Sequence, residues 1–246
     1  MTDCARFSRT VLSLQCTHCA LTFTIKLGDM PWMTNEIALL PDLSDLEAHS
    51  LSVNGLALKR GDFVLREDIS FTLNSGAALF LTGRNGSGKT TLLRTLAGFL
   101  APAEGDVRLD EEGDPGELIA WLGHADGLKP NETLRKSLRF WAGMAGQPNT
   151  IIMPVLKALD IGHLIDRPPA RLSRGQQRRG AMARLAVMNR PFWLLDEPAG
   201  PLDRAGRARL GELVAWHRSR GGIVIAATHQ DLDWPGAQRL ELGGGL

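Results

Sequence analysis

Eight consecutive residues, Gly83-Arg84-Asn85-Gly86-Ser87-Gly88-Lys89-Thr90, fit the pattern G-x-x-x-x-G-K-[ST]. Glycines at these spacings let backbone N–H groups curl around a phosphate, and a helix starting here adds its positive end to the same anion. Lys89 is then placed to reach the β- and γ-phosphates of a nucleotide, and the Thr90 hydroxyl to ligate magnesium. Downstream, Phe192-Trp193-Leu194-Leu195-Asp196-Glu197 is an apolar run ending in two carboxylates. Asp196 is expected to hold Mg2+ through its water shell, and Glu197 to polarise an attacking water. The chemistry implied is transfer of a phosphoryl group to water.

Such residues need strands and helices to carry them. Residues 77–82 read as a buried strand and 89–97 as a helix closed by Gly98. Leu51, Val53, Leu56 and Leu58 suggest an edge strand, and 69–73 alternates apolar with polar as a half-buried strand should. Further strands are expected at 106–109, 118–122, 192–196, 222–227 and 238–242. Leu210, Leu213, Val214 and His217 repeat at i, i+3, i+4, i+7, the spacing of an amphipathic helix. Residues 126–190 read as mainly helical, punctuated by Pro130, Pro148, Pro168 and Pro169. The fold expected is α/β, a phosphate-loop core with a mixed sheet interrupted by a helical subdomain.

Composition bounds the rest. The chain has 246 residues with Lys+Arg 28 against Asp+Glu 27, so no whole-chain field marks a nucleic-acid or acidic-tail protein. No segment approaches the roughly 18–20 apolar residues that cross a bilayer. Seven arginines (167, 171, 174, 178, 179, 184 and 190) fall in one stretch free of Asp and Glu. Without interleaved aromatics they read as a solvated helix face, partly recruited to a triphosphate, and not as a nucleic-acid surface. His49, His163 and His217 read as ordinary surface or core residues. The three cysteines lie at 4, 16 and 19; Cys16-Thr17-His18-Cys19 lacks the further ligands of a zinc site and the trailing His of a haem attachment site. Residues 1–48 carry no sustained apolar period, so they are expected to be a disordered or mis-assigned extension, with Met30 and Met33 as alternative starts.

Leu172-Ser173-Arg174-Gly175-Gln176-Gln177 opens a further helix, with Ser173 as its cap. With the two groups above, this segment resembles the ATP-binding-cassette (ABC) family, whose signature is LSGGQ, over roughly residues 49–246. Gly200-Pro201-Leu202-Asp203 stands at the family's D-loop, His229 at its switch histidine, and His124 at its Q-loop glutamine. The resemblance implies that 83–90 and Thr91 bind ATP, with Lys89, Glu197 and His229 as catalytic groups. Thr90, Asp196 and His124 would lie at the magnesium. Ser173, Gly175, Gln176 and Asp203 would cover the nucleotide held by a second copy of the chain in an ATP-sandwich dimer. Four positions depart from the pattern. Arg174 replaces the first signature glycine, Gly200-Pro201 replaces Ser-Ala, and Arg60 stands where an adenine-stacking aromatic is usual, with Phe63 as the alternative partner.

Within the family, Leu122-Gly123-His124, Gly127-Leu128-Lys129, the run 173–179 and Thr228-His229-Gln230 resemble the branch serving cytochrome c maturation. That implies an ATPase subunit working in haem export, or in release of haem from its chaperone. It would be peripheral on the cytoplasmic face of the inner membrane, bound to a CcmB-like integral membrane permease and other maturation proteins. The competing readings are the ATPase of another ABC transporter, a soluble ABC ATPase acting on nucleic acid, and a nucleotide-binding regulator without turnover. DNA-repair members insert long coiled coils between phosphate loop and signature, whereas Lys89 and Ser173 are only 84 positions apart. Intact Lys89, Asp196, Glu197 and His229 argue for turnover.

Overall fold

In a computed structural model, the chain is described at residues 11–15, 22–26, 40–41, 43, 45–61, 63–109 and 115–243. In chain order the elements are β1 (Val11–Gln15), β2 (Thr22–Lys26), β3 (Ser50–Arg60), β4 (Phe63–Asn74), β5 (Ala78–Thr82) and α1 (Lys89–Leu96). Then come β6 (Glu104–Leu109), α2 (Pro115–Leu118), β7 (Ile119–Leu122), α3 (Leu134–Met144) and α4 (Ile152–Ala158). α5 (Arg174–Met188), β8 (Phe192–Asp196), α6 (Arg204–Ser219), β9 (Ile223–Ala227) and β10 (Gln238–Glu241) complete the chain.

The apolar runs form a parallel sheet in the order β10-β5-β9-β8-β7. A strand covered on both faces loses the usual apolar–polar alternation, which is why these runs are continuous. Alternation survives in where each residue goes. Phe192 and Leu194 of β8 join one core with Leu79, Leu81, Ile223 and Ile225, which α1 and the antiparallel sheet β4-β3-β6 cover. Trp193 and Leu195 join a second core with Phe80, Val224 and the buried residues of α3, α4, α5 and α6. The α/β expectation holds, but parallel and antiparallel strands occupy separate sheets instead of one mixed sheet.

Three α-helices fill the expected helical region, with short 3-10 turns at Asn149–Ile151, Gly162–Leu164 and Pro169–Arg171. The prolines explain the punctuation: Pro148 and Pro168 cap 3-10 turns, and Pro169 opens the last one. Among the described residues, no helix is long and apolar enough to cross a membrane.

Part of residues 1–48 is described. β1 and β2 pair antiparallel, Val11 opposite Lys26. Leu40 and Leu43 pack against the larger core, and the Leu46 N–H donates to the Arg220 carbonyl at 2.8 Å. Order therefore reaches back before residue 49. Three leucines around a proline have no helical or strand period, so burial at the body's edge left no pattern to read. The Cys16–Cys19 group lies outside the described residues.

Candidate functional site

In a parallel sheet every strand ends on the same edge, and ligands bind where loops leave that edge. Here Thr82, Leu122, Asp196 and Ala227 end their strands together, so Gly83, His124, Glu197 and His229 leave from one rim. The glycine loop makes the β5-to-α1 turn. Gly83 has φ 132°, and a Cβ there would run into the Leu242 carbonyl oxygen, so only glycine fits.

α1 begins after Gly88, at φ 100°, without a capping side chain or an acidic residue in its first turn. Its leading N–H groups thus meet no side-chain acceptor, the arrangement that suits a bound anion. Lys89 is buried, and its ammonium donates to the carbonyls of Gly83 (2.7 Å) and Arg84 (3.0 Å), folding the loop over itself. Arg84, Asn85 and Gly86 form the exposed rim, Thr91 follows in the first turn of α1, and the buried Ser87 Oγ has no protein partner. A phosphate oxygen would satisfy that hydroxyl and the free N–H groups together, so the loop fits a nucleotide.

Across the rim, Thr90 Oγ1 donates to Asp196 at 3.1 and 3.3 Å. Burial raises the Asp196 pKa and the Glu197 charge adds to it; the Thr90 hydrogen bond, His124 and Arg94 oppose them. A buried oxygen-only donor pair of this kind fits Mg2+, which favours few protein ligands plus phosphate and water. No group of three His, Cys, Asp or Glu suited to a metal occurs among the described residues. His124 stands exposed on the same rim, close enough to act on Asp196 through its charge.

Glu197 has φ 47°, a left-handed backbone that costs a glutamate on the order of 1–3 kcal/mol. His229 Nδ1–H donates to its Oε1 at 3.0 Å, while Oε2 is buried without a protein partner. One carboxylate oxygen is held and the other is left to accept a proton or orient a water.

The signature residues are shaped for a different task. Ser173 and Gln176 form a reciprocal capping box at 3.2 and 3.0 Å, which starts α5 sharply. A Cβ on Gly175 would lie 3.2 Å from the Pro201 carbonyl, so the small residue lets α5 approach the Gly200-Pro201 turn. The Asp203 side chain caps α6 through the Gly206 N–H at 2.7 Å. Arg174 is exposed, with a 3.4 Å hydrogen bond to Gln177. Arg60 ends β3 opposite Phe63, a residue 77% exposed at the hairpin end.

One expectation is corrected. The arginine stretch is not a solvated face throughout, because Arg178 is 1% exposed and Arg184 is also buried. All five N–H donors of Arg178 are used. Nε binds Pro198 O (3.0 Å), Nη1 binds Gly123 O (2.7 Å) and Asp126 Oδ1 (3.0 Å), and Nη2 binds Asp196 O (2.9 Å) and Glu197 O (2.8 Å). Arg184 donates to Trp121 O at 2.8 Å and lies over the Trp141 ring. Burial lowers the pKa of both guanidiniums. A run of arginines reads as solvated because the carbonyls that bury two of them come from elements far away in sequence.

Comparison with known proteins agrees with this geometry. Residues 66–200 match the family described as ABC transporter. The chain is 60% identical over 206 residues to the cytochrome c biogenesis ATP-binding export protein CcmA of Maricaulis maris, covering 82% of this chain and 96% of that protein. It is 44% identical to the CcmA of Rhizobium meliloti over 202 residues, covering 79% and 98%. An ABC transporter ATP-binding protein of Pyrococcus furiosus shares the fold with TM-score 0.70 at 24% identity, covering 78% of this chain and 97% of that one. With its glycine loop, paired carboxylates and signature helix on one scaffold, the chain belongs to the ABC transporter family of ATPases and, within it, to the CcmA branch.

Proposed function

We propose that the chain is the ATP-hydrolysing subunit of a membrane complex in cytochrome c biogenesis, coupling ATP turnover to haem export or to release of haem from its chaperone. The observation that carries the reading is the shared rim, where the Thr90–Asp196 and Glu197–His229 contacts converge beside the glycine loop. Gly83 to Thr91 cradle the triphosphate, and Lys89 neutralises its outer phosphates. Thr90 and Asp196, with His124 nearby, would hold Mg2+, which would supply charge neutralisation for the phosphates. Glu197 orients and deprotonates the attacking water, and His229 holds that carboxylate while sensing the γ-phosphate. Phe63, exposed at the hairpin end, stacks on adenine in place of Arg60.

Two copies close around two nucleotides in a two-fold arrangement. Each α5 then presents its N-terminus, with Ser173, Gly175 and Gln176, to the γ-phosphate held by its partner, and Asp203 lines the joint. The membrane subunit, CcmB-like, docks on the helical region, where Phe140 and Met144 are exposed one turn apart on α3. The chain sits peripherally on the cytoplasmic face of the inner membrane, held by that subunit.

Glu197→Gln tests the reading. Turnover should fall about 10²–10⁴-fold while ATP still binds, and sedimentation should give dimers with ATP and monomers without it. In cells relying on the variant, c-type cytochromes should accumulate without haem. Normal turnover would sink the chemistry, and normal holocytochrome levels with a dead ATPase would sink the biological role.

A further inference from the structure

Successive carbonyls of an extended strand point to opposite sides, yet those of Asp196, Glu197 and Pro198 all accept from the one Arg178 guanidinium. The left-handed backbone at Glu197, φ 47°, is what turns them to a common point. Such a conformation persists only where its surroundings over-determine it. Here a buried cation collects three carbonyl dipoles, and charge-assisted bonds are roughly twice as strong as neutral ones. The same guanidinium reaches away from the strand to Gly123 O and Asp126 Oδ1. Arg178 thus joins the turn at Glu197 to the segment carrying His124.

We infer that Arg178 is a positioning residue, whose guanidinium holds the left-handed turn that aims the Glu197 carboxylate and keys that turn to the seating of residues 123–126. The inference rests on Glu197 as the water-orienting group. Arg178 itself has no donor left for a nucleotide, since its five N–H groups meet five protein acceptors. Lysine has three donors on a single nitrogen and cannot span these acceptors.

The test is a kinetic split in the full-length protein. Arg178→Lys should lower kcat by about tenfold or more, with KM and nucleotide affinity within about threefold of wild type, because only orientation for attack is lost. Adding Arg178→Lys to Glu197→Gln should change kcat by no more than about threefold further, since the two act through one carboxylate. Wild-type kcat in folded Arg178→Lys overturns the inference, as does an additive loss in the double variant or a KM rising in step with a falling kcat. If Arg178→Lys does not fold, Asp126→Asn decides: a few-fold fall in kcat at constant KM supports the inference, and wild-type kcat overturns it. Glu197→Gln alone reports on the underlying reading. Full turnover there removes Glu197 and the inference with it, whereas a dead Glu197→Gln beside an active Arg178→Lys removes the inference only.

Discussion

Helices α5 and α6 are both rich in arginine and both flank β8, yet they use the residue in opposite ways. α6 buries Leu210, Leu213, Val214 and His217 along one stripe. Its arginines reach outward to cap loose carbonyls: Arg207 to Leu202, Arg209 to Ala158, Arg218 to Gly76 and Pro235. α5 instead buries nine residues from Arg178 to Val187, and two of those are arginines. The part of a helix covered by neighbours on several sides has no polar face to give its cations, so they must find acceptors inside. The lesson concerns cost. Desolvating an arginine takes several kcal/mol unless its donors are met, and Arg178 meets all of its own by tying the end of β8 to the loop after β7.

The largest expected effect breaks that tie at its charged end. The Arg178–Asp126 pair lies at 3.0 Å with side chains 2% and 13% exposed. Asp126→Ala removes the carboxylate hydrogen-bonded to a buried guanidinium and leaves that donor unmet, so unfolding free energy should fall by about 3–5 kcal/mol. The control is Asp166→Asn, which opens the exposed bidentate pair with Arg135 at 2.6 and 2.8 Å. Exposed pairs contribute little, so urea midpoints should stay near wild type there. Equal losses in the two variants would mean that α5 does not depend on its buried cation.

The contrast also marks what could be read from sequence. The glycine loop, the apolar runs of β5, β8 and β9, and the stripe of α6 all announce themselves, because each depends on neighbours within a few residues. Lys89, Thr90, Asp196 and Glu197 are legible that way and His229 only through the family resemblance, and the structure brings them to one rim. Arg178 was visible only as one cation in a run, since its acceptors come from residues 123, 126 and 196–198. Leu40, Leu43 and Leu46 were equally opaque, because a segment lying against a finished body needs no period of its own. The separation of parallel from antiparallel strands is likewise a matter of distant pairing, as in β10 joining β5.

A middle-sized effect sharpens the α6 side. His217 stacks on Trp193 with ring centroids 3.9 Å apart, and its Nε2–H donates to the Pro191 carbonyl at 3.1 Å. Burial depresses its pKa to about 3; the Pro191 and Ile223 hydrogen bonds oppose this and the Arg220 charge assists it. The folded value lies below the unfolded 6.5, so the unfolded chain binds a proton that the folded one refuses. Stability contributed by neutral His217 is present above pH 6.5 and is lost as pH falls toward 3. Its share of the slope approaches about 1.4 kcal/mol per pH unit. Urea melts at pH 7.5, 6 and 5 should show wild type losing stability faster than His217→Gln, whose side chain does not titrate. Parallel slopes would remove His217 as the cause. Charge on α6 would then matter to folding only at its surface.

The smallest effect on folding returns to α5, at the arginine that it leaves exposed. Arg174 is exposed and donates a 3.4 Å hydrogen bond to Gln177. The helix start is already secured by the Ser173–Gln176 capping box. Arg174→Gly gives up about 1 kcal/mol of helix propensity at most, and less at a terminal position, so the melt should hardly move. Its effect should appear only when two copies meet. If the N-terminus of α5 faces the partner's γ-phosphate, Arg174 adds a positive charge beside that anion. Removing it should weaken ATP-driven dimerisation of the Glu197→Gln protein, more at low salt than at high, because exposed charges are screened over about 10 Å at 0.1 M. Sedimentation across an ATP series at two ionic strengths reads both quantities. An unchanged dimerisation constant at low salt would leave Arg174 as a solvated cation without a task, and Arg178 would carry the functional charge of this helix alone.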